Sequence, residues 1–177
     1  MKEIIDVMIP ETAIQKRIDE LAAEISIDYS GLTLTLICVL KGGVIFFADL
    51  SRKLKIDVEM DFIDVSSYDD GTESSGVVRI EKDLERPITG KHVLLVEDII
   101  DTGKTLICLI RHLSAQRPES LKVCTLLDKP DRRIVDGIKP EYVGFTIADK
   151  FAIGYGLDYA QKYRQLPYIG VILETRD

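Results

Sequence analysis

The sequence predicts an α/β domain built on a mostly parallel sheet. Two observations carry this. Apolar, strand-like runs alternate with amphipathic helical stretches along the whole of the 177 residues, the pattern of repeated strand–helix–strand units. Several of those runs are apolar at successive positions rather than at every second one, which a strand needs when helices cover both of its faces. The elements follow in order. Pro10 suits a first helical position, where a missing N–H costs nothing, and Ile14, Ile18, Leu21, Ala22 and Ile25 recur at helical spacing until Ser30 and Gly31 stop the helix. Residues 32–40 form a strand that is continuously apolar in its second half. After Lys41, Gly42 and Gly43, an apolar helix spans about 44–54 and a strand about 58–66.

Residues 67–76 are polar, carry two glycines, and have no face to bury. They read as a loop or hairpin tip returning through residues 77–80. Residues 92–96 form a buried strand, and a helix follows over about 103–115 with Leu106, Leu109, Ile110 and Leu113 inward. Arg117 and Pro118 break it. Strands follow at 121–127, 142–147 and about 168–173. There are no internal repeats and no linker, so residues 1–177 read as a single domain.

Composition removes several function classes. Hydrophobic residues make up 46% and charged residues 30%, ordinary for a globular chain and unlike a disordered one. A net charge of -7 argues against a general nucleic-acid surface, which needs clustered Lys and Arg. The three cysteines, Cys38, Cys108 and Cys124, form no CxxC pair and suit buried thiols in a reducing compartment. The two histidines, His92 and His112, lack zinc-ligand spacing. The N-terminus has no signal-peptide layout, because Asp6 interrupts any apolar core, and no apolar run reaches the length of a membrane span. The expectation is a cytoplasmic protein with no nucleic-acid or membrane partner.

In parallel sheets, ligands bind beyond the carboxyl ends of the strands. The residues to inspect there are Lys41, Ser67, Glu97, Asp98, Lys129 and Lys150. Residues 93–105, VLLVEDIIDTGKT, hold the strongest signal: an apolar strand, two acids, two apolar residues, then Asp101, Thr102, Gly103, Lys104 and Thr105 leading into a helix. A loop at a helix N-terminus offers unpaired N–H groups and the positive end of the dipole, so it can hold a phosphate. Gly103 permits a tight turn, Thr102 and Thr105 add hydroxyls, and Lys104 adds charge. Glu97 and Asp98 precede this nest and suit ribose hydroxyls or a magnesium ion. A nucleotide-triphosphatase loop would need glycine at position 98, which is Asp. An exposed acidic turn with Asp101 or Thr102 capping the next helix is the plainer alternative.

The same thirteen residues resemble the phosphoribosyl-diphosphate signature of the type I phosphoribosyltransferases. Residues 39–43 (VLKGG), Ser67 and Tyr68, residues 127–129 (LDK), and residues 143–159 with their VGF, DKF and GYGLDY runs are similar to hypoxanthine–guanine phosphoribosyltransferases in order and spacing. The resemblance covers residues 36–164. It implies a small hood lobe from the N- and C-terminal segments and a lid over about 67–78 carrying Ser67 and Tyr68. It also implies a purine-salvage activity: magnesium-dependent transfer of the 5-phosphoribosyl group from its 1-diphosphate to hypoxanthine, and guanine, giving IMP or GMP and pyrophosphate.

By the same resemblance, Asp101 is the acid/base near purine N7, and Thr102, Gly103, Lys104 and Thr105 cradle the 5'-phosphate. Glu97 and Asp98 lie by the ribose hydroxyls and magnesium. Lys41 and Gly42 meet pyrophosphate across a strained, cis-prone peptide between them. Lys129 donates to the purine 6-oxo group, Phe151 stacks on the base, and Ala152 and Asp158 border the 2-position. Asp158 also reaches a second magnesium, and Arg164 binds pyrophosphate. A homodimer or homotetramer is implied as well. The alternative in another class is a nucleotide-sensing RNA- or DNA-binding regulator on the same fold, which would show a basic face or an added winged-helix segment. A pyrimidine or orotate enzyme is a second rival.

Overall fold

A computed structural model describes residues 3–67 and 78–175. Tyr68 and most of the expected lid lie outside the described residues. The strands are β1 (Glu3–Ile9), β2 (Thr33–Leu40), β3 (Asp57–Ser67), β4 (Val78–Lys82), β5 (His92–Ile100), β6 (Ser120–Asp128), β7 (Tyr142–Thr146), β8 (Ala152–Ile153) and β9 (Ile169–Thr175). The helices are α1 (Glu11–Asp28), α2 (Val44–Lys53) and α3 (Lys104–Ser114), with a 3-10 turn over Pro130–Arg132. Pro10 is the residue before α1, in extended conformation, rather than its first helical residue.

Six strands form the main sheet in the order β4-β3-β2-β5-β6-β7. Every neighbouring pair is parallel except β3–β4. The continuous apolar run of β2 explains itself here. Strand side chains alternate between faces, so Leu34, Leu36 and Cys38 enter one core with α1 and α2, and Ile37 and Val39 enter the other with α3. The second core also takes Val93 and Leu95 of β5 with Leu106, Leu109 and Leu113 of α3.

The order has a consequence for binding. From β2 the chain crosses through α2 to β3 on one side; from β5 it crosses through α3 to β6 on the other. The direction of winding reverses between β2 and β5, and at such a switch point a crevice opens at the carboxyl ends. A second sheet, β1-β9-β8, is antiparallel and joins the two ends of the chain, where a hood was expected. Ile9, Ala152, Tyr155, Leu157 and Ile169 carry its packing into the α1/α2 core. Among the described residues no helix is long and apolar enough to cross a membrane.

Candidate active site

Strands β2 and β5 pair only as far as Cys38 with Val96. Beyond that point β5 runs on to Ile100, held by β6 alone through Glu97, Ile99 and Ile100. Glu97 and Asp98 therefore sit inside the strand, not after it as the sequence suggests, and they border the gap that β2 leaves. The cis peptide in this stretch joins Leu40 to Lys41; the expected position, between Lys41 and Gly42, is one residue too late.

A cavity of about 590 Å³ fills the gap, and Lys41, Gly42, Glu97, Asp98, Thr105, Asp158 and Arg164 are among its lining residues. The packing at its floor is tight. A Cβ on Gly42 would fall 1.6 Å from Asp98 Oδ2, and one on Gly156 would fall 2.0 Å from the Gly42 carbonyl oxygen. Gly156 also has φ +103, which glycine alone adopts without strain. Its amide donates to the Arg164 carbonyl at 2.9 Å, and Arg164 returns a hydrogen bond to the Gly156 carbonyl at 2.8 Å. Arg164 also pairs with Asp158 at 2.8 Å. The segment behind it is anchored by the Tyr155 hydroxyl, which donates to Asp49 of α2 and meets Gln15 of α1 at 3.1 Å.

Five acids (Asp64, Glu81, Glu97, Asp98 and Asp158) and two cations (Lys41 and Arg164) line the cavity. Burial pushes the Glu97 carboxyl well above the usual carboxylate range, and the Asp98 charge adds to that. Burial raises Asp98 as well, opposed by the hydrogen bond from the Ile99 amide at 2.9 Å. Both shifts are what closely spaced acids shielded from water undergo, and the Arg164 charge offsets part of that for Asp98. Among the described residues no group of three or more acidic, histidine or cysteine side chains is gathered closely enough to hold a metal unaided.

The loop between β5 and α3 adjoins this cavity. A pocket of about 200 Å³ is lined by Glu97, Ile99, Ile100, Asp101, Thr102, Gly103, Thr105 and Leu106. Gly103, at φ +87, is the cap residue of α3, with no side-chain cap; neither Asp101 nor Thr102 fills that role. Lys104 opens the helix, and its amide lies 3.4 Å from Thr102 Oγ1. The N-terminus of α3 thus borders the pocket, and the start of a helix is where an anion finds amide donors and the positive end of the dipole.

Asp101 is the link to the next part. Lys129, at the end of β6 and only 5% exposed, places its Nζ 3.6 Å from Asp101 Oδ2 and 3.7 Å from Asp149 Oδ1. Beside them, Phe151 is 58% exposed and meets Tyr159 edge-on, with centroids 5.7 Å apart.

Comparison with known proteins gives this arrangement a family. The model of the phosphoribosyl transferase domain matches residues 10–160. The chain belongs to that family. It is 49% identical over 175 residues to the hypoxanthine phosphoribosyltransferase of Escherichia coli K12, covering 98% of each chain. It is 48% identical over 170 residues to the hypoxanthine-guanine phosphoribosyltransferase of Bacillus subtilis, covering 96% of this chain and 94% of the relative. The crystal structure of a hypoxanthine-guanine phosphoribosyltransferase from Bacillus anthracis superposes with a TM-score of 0.90 at 49% identity, over 97% of this chain and 99% of that one.

In this phosphoribosyltransferase most of the residues singled out from sequence meet at two adjoining cavities, and Lys104 lines neither. Lys41, Gly42, Glu97, Asp98, Thr105, Asp158 and Arg164 share the larger cavity, and Asp101, Thr102 and Gly103 the smaller. Lys129 joins them through its ion pair with Asp101. Phe151 and Ala152 line neither cavity; Ala152 is buried in β8. Ser67 ends β3, and Tyr68 is outside the described residues. Sequence reasoning missed Arg132, whose Nε donates to Asp101 Oδ1 at 3.0 Å, and gave Asp149 no role although its motif was in view. A cation three residues after Lys129 on a proline-led turn was the available signal.

Proposed function

We propose that the chain transfers the 5-phosphoribosyl group from 5-phosphoribosyl 1-diphosphate to hypoxanthine and guanine, releasing pyrophosphate and yielding the nucleoside monophosphate. The observation that carries this is that Asp101 and Lys129 are neighbours beside a pocket at the N-terminus of α3. N7 and the 6-oxo group lie on one edge of a 6-oxopurine. An acid and an ammonium 3.6 Å apart suit those two positions together. Lysine only donates hydrogen bonds, so it accepts an oxo group and opposes the 6-amino group of adenine.

The chain's own residues account for the rest of the chemistry. The 5'-phosphate binds the amides and hydroxyls of residues 102–105. Asp101 holds, then accepts, the proton that the attacking base must lose. As the anomeric C–O bond breaks, negative charge grows on the departing pyrophosphate, and Lys41 and Arg164 meet it. The larger cavity carries an excess of acids although the donor is itself an anion. That donor set fits magnesium, which takes one or two carboxylates plus substrate phosphate oxygens rather than an all-protein cage. Glu97 and Asp98 are the residues that would hold one such ion and Asp158 a second; when bound the ions would supply positive charge against the phosphate oxygens.

The test is an assay with the diphosphate donor, magnesium and each of hypoxanthine, guanine, xanthine, adenine and uracil. Turnover with 6-oxopurines supports the reading. Turnover with uracil alone, or with no base, overturns it. The three cysteines are all free thiols, which supports an intracellular setting.

A further inference from the structure

Residues 129–134 are stitched to residues 100–102 on both sides of Asp101. The Lys129 amide donates to the Ile100 carbonyl at 3.0 Å, and the Ile134 amide to the Thr102 carbonyl at 3.1 Å. Between these anchors the turn Pro130–Arg132 closes on itself, the Arg132 amide donating to the Lys129 carbonyl at 3.1 Å. The backbone therefore sets Arg132 opposite Asp101.

Four side chains then form a closed ring of alternating charge. Asp101 meets Arg132 through Oδ1 at 3.0 Å and Lys129 through Oδ2 at 3.6 Å. Asp149 meets Lys129 through Oδ1 at 3.7 Å and Arg132 through Oδ2 at 3.4 Å. Each carboxylate oxygen has one cation. The contacts are not equal. Only the contact from Arg132 to Asp101 has the length of a good hydrogen bond; the two from Lys129 are longer than hydrogen bonds and act through charge. Arg132 thus fixes how Asp101 points, while Lys129 is centred between two acids with its N–H groups committed to neither.

We propose that Arg132 is a positioning residue for the transfer: it sets the orientation of Asp101 and, through Asp149, centres Lys129, so that acid and ammonium meet one edge of the base together. This rests on the phosphoribosyl-transfer reading above. Arg132 acts through Asp101 and touches no reacting atom. Its side chain is 47% exposed, and an ion pair that open to water contributes little to stability. A rate effect without a stability effect is therefore its signature.

Steady-state kinetics on wild type, Arg132→Met, Arg132→Lys, Asp149→Asn and the Arg132→Met/Asp149→Asn double variant, with melting temperatures alongside, test this. Arg132→Met lowers kcat for hypoxanthine by about 10- to 100-fold, the scale of a misplaced catalytic group, and leaves the donor KM and melting temperature near wild type. Arg132→Lys recovers part of the rate, since an ammonium reaches Asp101 but not both acids at once. The double variant is slower than Arg132→Met by less than the separate effects multiply to, because both act on one ring. An unchanged kcat, a rise in donor KM with kcat intact, or a loss of rate that follows loss of folding and is not relieved by lysine would overturn the proposal. An inactive wild type would overturn the transfer reading itself, and this proposal with it.

Discussion

Asp98 occupies the space that any side chain at position 42 would need, with its Oδ2 1.6 Å from where a Cβ on Gly42 would be. The contact ties the loop after β2 to the acid pair of β5. Gly42→Ala must displace either a half-buried carboxylate or the loop. Overpacking of this kind costs about 1–3 kcal/mol. The expected outcome is a lower denaturant midpoint together with weaker binding of the diphosphate donor, measured by calorimetry. Wild-type donor affinity in a folded Gly42→Ala protein would show that this contact does not shape the site.

Lys129 is the specificity prediction. Lys129→Ala removes the only donor assigned to the 6-oxo group, and loss of one such contact costs about 10²–10³-fold in rate. Turnover with hypoxanthine falls by that order while the gap to adenine narrows. Competition assays with the two bases measure the ratio; an unchanged ratio refutes the role.

The acid pair predicts a pH dependence of folding. Burial raises Glu97 well above the usual carboxylate range, so between its ordinary value, about 4.3, and its raised one the folded chain binds more protons than the unfolded chain. The stability contributed by this group is therefore greatest below that window and falls as pH rises through it. Glu97→Gln in the unliganded protein flattens the fall. Chemical denaturation of both proteins from pH 5 to 8 measures it, and parallel slopes would contradict the assignment.

The thiols offer a further check. Burial pushes Cys38 up to about 12 and raises Cys124 as well, and the thiolate is the reactive form. Alkylation of the native protein at pH 8 followed by mass spectrometry finds Cys108, which is only half-buried, modified first. Early labelling of Cys38 or Cys124 would mean that β2 and β6 are less securely covered than the core describes.

The central sheet was legible because its signals are local: a continuous apolar run such as 36–40 announces burial on both faces, and residues 93–105 join strand, acids and helix start in one stretch. Strand β1 was missed because its partner is β9, at the opposite end of the chain, and β8 because it has two residues. In the site, Lys41, Asp101, Lys129 and Arg164 were readable from motifs. The Gly42–Gly156 contact was not, since it joins residues far apart in sequence through a left-handed backbone. The ring through Arg132 and Asp149 depends on a turn anchored across to β5, a relation that residue spacing does not contain.

A crystal structure with bound IMP tests the central claim most directly. The account predicts the 5'-phosphate against the amides of residues 102–105, the ribose by Glu97 and Asp98, and the 6-oxo edge facing Lys129 and Asp101. IMP seated elsewhere, with the pocket at residues 101–105 filled only by solvent, would contradict it.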